Sequence, residues 1–207
     1  VIVLGIDPGS RHMGWGVVAR EGTRMRHVAH GTIEAVVGKD GSFADRLVVI
    51  ERELVAIVRT HRPTHASVEG IFYAKDAQAA SKLGHARGVA LLVCARAGLT
   101  IAEYPPARVK RTVAGGGRAE KHQVAQMVRV ILCLRDIPAP DAADALALAV
   151  THLSQVRALV PAQVRALVPA QVRAGLLPAP PGLRLSPGFV AKGPPRRRIH
   201  GRKVSSV

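Results

Sequence analysis

Of the 14 Asp and Glu residues in this 207-residue chain, four stand where a solvated surface does not readily explain them. Asp7 follows the apolar run 1–6 and precedes the turn Pro8-Gly9-Ser10; in an α/β sheet, ligands gather at the carboxyl ends of strands. Glu69 closes the short segment HASVE directly before Gly70, an unfavourable place for a carboxylate without a partner. Asp141 and Asp144 lie three apart, which on a helix puts both on one face, about one turn apart. The plainer alternatives are an Asp that starts a Pro-Gly turn, a Glu at an edge reaching water, and two Asp that cap a helix N-terminus and complement its dipole. Taken together, the four point to a site. Hard divalent cations take oxygen ligands, and phosphoryl chemistry at two ions ~3.5–4 Å apart needs three or four converging carboxylates.

The rest of the composition says what such a site would act on. Thirty Lys and Arg against 14 acids give a net charge of +16 and a pI near 11.4, so a polyanion, and nucleic acid first, is the expected partner. Four clustered carboxylates repel a polyanion unless cations intervene, so an acidic cluster inside a basic protein reads as a metal-dependent nuclease better than as a passive binder. The charge is uneven. Residues 1–154 hold 20 cations and all 14 acids, leaving +6, whereas residues 155–207 hold the other ten cations, no acid and eight of the 14 prolines. That second stretch opens with QVRALVPA at 155–162, repeats it at 163–170 and begins a degenerate third copy at Gln171. An eight-residue unit is too short for a solenoid, whose periods run ~20–50 residues. The expectation is therefore a folded domain over 1–154 and a Pro/Arg-rich, disordered tail over 155–207.

Cys94 and Cys133 have neither metal-ligand spacing nor a framework count. The opening apolar run lacks the basic flank of a signal peptide, and no segment reaches the ~18 apolar residues of a membrane span, so the expected location is cytoplasmic.

The elements that must hold the carboxylates follow from pattern. Residues 1–7, 14–19 and 26–34 read as three hairpin-linked strands. Ser42 is a candidate N-cap for a helix with Leu47, Ile50, Leu54, Ile57 and Val58 on one face, ending before Pro63. Strands at 65–69 and 100–104 flank a long helix over 74–97. Further helices run through Val109 and Val113, over 120–133 and over 141–153, with the glycine run 115–117 between the first two. This order implies an α/β fold with a five-stranded mixed sheet flanked by helices.

Five segments carry a resemblance: Gly5-Ile6-Asp7-Pro8-Gly9, VEGIFYAK at 68–75, LGHARGV at 83–89, YPPARVKRTV at 104–113 and DAADALA at 141–147. In this order, across residues 1–154, they resemble the RuvC family of bacterial Holliday-junction resolvases. The resemblance implies an RNase H-like fold, a homodimer, and hydrolysis of phosphodiesters in four-way DNA junctions. It implies Mg²⁺ as cofactor, two ions per site with Mn²⁺ as an alternative, and products with 5′-phosphate and 3′-hydroxyl ends. The family's catalytic and metal-binding tetrad falls on Asp7, Glu69, Asp141 and Asp144; some members carry His at the third position. Phe72 matches the aromatic set against unpaired bases at the crossover, Lys110 and Lys121 match DNA-contacting lysines, and the RuvAB branch-migration complex is the implied partner.

In the helix after Phe72, Ala80, Gly84 and Gly88 form a small-residue strip followed by Leu91, Leu92 and Ala95. It suits a two-fold interface; packing on the sheet is the alternative. Two other readings stand beside the nuclease. One is a noncatalytic junction-binding protein. The other is an actin-like ATPase or kinase fragment, because the Asp-Pro-Gly turn with Gly14-Trp15-Gly16 resembles the phosphate-binding hairpin of that related fold.

Overall fold

A computed structural model describes residues 1–38, 41–70 and 77–163, with side chains through residue 156. Strands β1 (Ile2–Asp7), β2 (His12–Glu21) and β3 (Arg24–Glu34) are followed by helix α1 (Phe43–His61), β4 (His65–Glu69), α2 (Ala77–Arg96) and β5 (Thr100–Tyr104). Helices α3 (Pro106–Ala114), α4 (Lys121–Ile131) and α5 (Pro140–Gln163) complete the order. Residues 1–158 form one compact unit.

The sheet order is β3-β2-β1-β4-β5. The first three strands form an antiparallel meander, and β4 and β5 add in parallel to β1, each reached through a helical crossover. The sheet is thus mixed, as expected. The β2–β3 hairpin is longer than its pattern suggests, because Gly22, at φ +59°, allows a tight turn and pairing runs out to Glu21 and Arg24.

Local signals set the helix ends. Ser42 caps α1 in a reciprocal capping box with Asp45, and Arg62, at φ +46°, closes its other end just before Pro63. Pro106 occupies the first turn of α3, where its missing N–H costs nothing. Two ends differ from expectation. Helix α4 stops at Ile131 because Cys133 takes φ +52°. Helix α5 runs on to Gln163, through the first QVRALVPA copy, rather than stopping near residue 153. The remainder of the 155–207 tail lies outside the described residues.

Strand alternation sorts the sheet into two faces. Leu4, Ile6, Met13, Val17, Ala66 and Val68 point one way and pack with Ile50 and Leu54 of α1 and Ala86 and Ala90 of α2. Val3 and Val18 point the other way, where they meet α3, α4 and the buried Leu146–Val150 run of α5. The second face also carries Gly5, Asp7, Gly14, Gly16, Ser67 and Glu69.

Candidate active site

Asp7 and Glu69 are the last residues of adjacent parallel strands, paired one step back through Ile6 and Val68. Both therefore emerge at the same edge of the sheet and on the same face. Helix α5 delivers the other two carboxylates to that face. It begins at Pro140, so Asp141 lies within the first turn rather than at the cap, and Asp144 follows one turn on. The strands beneath are built to let it approach. A Cβ on Gly14 would stand 2.0 Å from the carbonyl oxygen of Asp141, and one on Gly5 would stand 1.9 Å from that of Ala145. Only glycine fits at either position, and the aspartates come down close to the strand ends as a result.

Asp7, Glu69 and Asp144 line one cleft of about 300 Å³ together with Lys110 of α3 and Lys121 of α4. Its apolar walls are Pro106, Val109, Val124 and Leu148. Asp141 stands beside the cleft, outside its lining, close enough for its charge to act on Asp7. Lys121 Nζ donates to Asp144 Oδ2 over 2.9 Å. Phe72 lies outside the described residues.

The electrostatics follow from crowding acids in a half-buried place. Burial, then repulsion from Glu69 and Asp144, pushes the Asp7 carboxyl up to about 7, with Lys121 opposing. Glu69 is raised for the same first reason, then by Asp144, with Lys121 and Lys110 opposing. The Lys121 ammonium is raised by its hydrogen bond to Asp144 and by the surrounding acids. This cluster carries more negative charge than its surroundings neutralise.

The donor set in the cleft is carboxylate oxygen alone, with no imidazole or thiolate among its lining residues. That chemistry, and the mutual repulsion of the acids that raises Asp7, fit a hard divalent cation. Among the described residues, no group of three or more His, Cys, Asp or Glu side chains is drawn together tightly enough to hold an ion as they stand.

Sequence reasoning singled out every charged residue of the cleft. None of the four wall residues was given a place in the site: Pro106 and Val109 stood out only as part of the segment 104–113, and Val124 and Leu148 carry an apolar spacing shared with any packed helix. In the small-residue strip of α2, a Cβ on Gly84 or Gly88 would meet nothing within 4 Å and Leu92 is 48% exposed, so these positions face away from the sheet, whereas Leu91 packs against the core.

Comparison with known proteins agrees with this architecture. Residues 3–152 match the family described as crossover junction endodeoxyribonuclease RuvC. The RuvC of Sorangium cellulosum is 61% identical over 152 residues, 73% of this chain and 84% of that protein. The Thermus thermophilus RuvC structure is 36% identical with a TM-score of 0.69, covering 76% of this chain and 96% of that one. The structure of T. thermophilus RuvC in complex with a Holliday junction substrate matches with a TM-score of 0.70 at 36% identity, covering 76% and 95%. The sheet and helices are those of an RNase H-like α/β fold, and this chain belongs to the crossover junction endodeoxyribonuclease RuvC family.

Proposed function

We propose that this chain is a structure-selective, metal-dependent endonuclease that binds four-way DNA junctions and resolves them by paired symmetric nicks. The observation that carries the reading is the single cleft in which Asp7, Glu69 and Asp144 meet Lys110 and Lys121 on an otherwise basic body. The residues that would hold the metal are Asp7, Glu69, Asp141 and Asp144, and Mg²⁺ at two positions suits their number, with Mn²⁺ as a substitute. When bound, such ions supply Lewis-acid activation of the attacking water and of the leaving 3′-oxygen.

The chain's own groups do the rest. Asp7, on a central strand, is the most rigid platform of the four and holds the centre of the site. Lys110 and Lys121 reach the same cleft from two separate helices and hold the scissile phosphate against the carboxylates. Lys121 also keeps Asp144 paired until a phosphate competes for its ammonium. Phe72 stacks on bases opened at the crossover. A two-fold dimer supplies two copies of the cleft for two strands of like polarity, with the outward strip of α2 as its contact. RuvAB is the partner that brings the junction. The cationic, acid-free tail adds sequence-independent phosphate attraction, so removing residues after Gln163 lowers junction affinity and flattens its salt dependence without stopping cleavage.

A synthetic four-way junction incubated with Mg²⁺ tests the reading. Paired, symmetric nicks that a ligase reseals are expected, and Asp7→Asn should bind the junction as wild type does while nicking falls at least ~100-fold. Normal nicking by Asp7→Asn would remove the carboxylate site; unpaired, random nicks would remove junction resolution.

A further inference from the structure

Glu69 has a second point of attachment, on the side of the sheet away from the cleft. Its carboxylate shares a face with Ser67, whose hydroxyl donates to Leu148 O of α5. Val68 and its β5 partner Glu103 face the other way, toward α2. From α2, Arg87 reaches this far side. Its Nε donates to the main-chain carbonyl of Glu69 over 3.3 Å, and its Nη2 pairs with the carboxylate of Glu103. The Arg87 side chain is only 13% exposed, whereas Glu103 is 51% exposed, so the arginine is the anchored member of the pair.

We infer that Arg87 is a positioning residue for Glu69: it fixes the end of β4 from behind and so sets where the carboxylate stands in the cleft. This rests on the reading of Glu69 as a metal-holding carboxylate. The place needs such a device. Residue 69 ends its strand: its pairing to β1 stops one residue earlier at Val68, on the β5 side it pairs with Tyr104, and among the described residues the ladder goes no further than Gly70 N to Tyr104 O, at 2.9 Å. A planar guanidinium serves two acceptors at a fixed angle, which a lysine ammonium on a flexible stem does not. Groups that orient a metal-holding side chain from outside typically carry roughly 10–100-fold in metal affinity or activity.

The test uses the full-length protein and reads three quantities: single-turnover nicking, junction affinity in EDTA, and Mn²⁺ affinity by calorimetry on the metal alone. Arg87→Ala should lose roughly 10–100-fold in nicking and weaken Mn²⁺ binding, with junction affinity within about two-fold of wild type because Arg87 lies on the opposite face. Arg87→Lys should recover part of both. Glu103→Gln, which keeps the bond to the Glu69 carbonyl but removes the ion pair, should lose less than Arg87→Ala. A merely structural arginine would lower the unfolding midpoint and leave Mn²⁺ affinity and the rate per folded molecule unchanged; that result overturns the inference. Should Arg87→Ala fail to fold, wild-type nicking and Mn²⁺ affinity in Arg87→Lys overturn it equally. Glu69→Gln separates the two layers. If Glu69→Gln is inactive and the Arg87 variants are normal, only the positioning role falls. If Glu69→Gln nicks normally, the underlying reading of the site falls and takes this one with it.

Discussion

The two faces of the sheet are built on different principles. The face toward α1 and α2 is filled with large apolar side chains, among them Leu4, Ile6, Met13, Ile50 and Leu54, all fully buried. The face toward α5 has glycines where the helix crosses, an alanine-rich helix above them, and all three buried polar side chains of the described residues: Ser67, Thr151 and His152. A layer of large apolar side chains contributes stability and tolerates small shifts, since burial is roughly proportional to area. A layer of glycines and hydrogen-bonded polar groups contributes less but admits one arrangement, because a displaced polar group is left unpaired. The carboxylates sit on the second face. Both sides thus bury an apolar layer, but position is set from the side that carries the glycines and the buried polar groups.

The largest effect that could break this contrast comes from one small substitution on each side. Gly5→Ala places a Cβ 1.9 Å from the carbonyl oxygen of Ala145 and 2.9 Å from the amide nitrogen of Ala149, both backbone atoms of α5. The helix has to lift, carrying Asp141 and Asp144 with it. We expect a stability loss of roughly 3 kcal/mol and a fall in nicking per folded molecule of about 100-fold. Leu54→Ala, on the apolar face, should cost as much stability, ~2–5 kcal/mol, yet nick within about three-fold of wild type per folded molecule. Urea denaturation paired with single-turnover cleavage of a four-way junction separates the two quantities. Equal losses of rate from both variants would mean that the faces do not divide the labour.

These glycines also mark how far the sequence could be read. The strands that end on Asp7 and Glu69, the Ser42 cap and the spacing of Asp141 and Asp144 were legible, because each is a local pattern with a local cause. Gly14 and Gly16 were legible only as part of the strand over 14–19 and of a likeness to a phosphate-binding hairpin. Their role is to admit α5, and nothing in their neighbourhood along the chain names that helix, which begins well over a hundred residues later. The same holds for the strand order, where β4 pairs with β1 across an intervening hairpin and helix, and for Arg87, whose partners lie on β4 and β5. The continuation of α5 through residues 155–163 was hidden by Pro161, which reads as a helix breaker. His152 gave no signal either, since a lone histidine in an apolar helix shows its partners only after folding.

His152 gives the next test, now on the polar face alone. It is 5% exposed, its Nδ1 lies 2.9 Å from the Tyr104 hydroxyl, its Nε2 has no partner among the described residues, and the His65 ring sits 5.2 Å away. Burial first, and then His65, lowers its pKa to about 4 from an ordinary 6.5. The folded state therefore holds the neutral ring while the unfolded chain takes up a proton below 6.5. Its contribution to stability is complete above pH 6.5, declines as pH falls, and levels off below about 4. Between pH 7.5 and pH 5 we expect a loss of ~2 kcal/mol that His152→Gln removes. Urea denaturation at the two pH values measures it, and an identical pH dependence in wild type and His152→Gln would rule out the assignment.

The smallest effect, and the sharpest probe of spacing against bonding, lies at Ser67. Its hydroxyl donates to Leu148 O over 2.9 Å and is fully buried, tying β4 to α5 two residues before Glu69. Ser67→Ala removes the donor together with its hydrogen-bonding need and leaves a carbonyl inside a helix that has its own acceptor role, so nothing buried is stranded. A loss of about 1 kcal/mol and a nicking rate within three-fold of wild type are expected. Ser67→Val removes the same bond but adds a methyl group against the Leu148 carbonyl, in a layer where Gly5 and Gly16 already leave no room for α5 to move closer. It should lose more rate than stability relative to Ser67→Ala, because the excess volume is relieved by moving the helix that bears Asp144. If both variants lose rate alike, the hydrogen bond and not the spacing sets the height of α5 over the site.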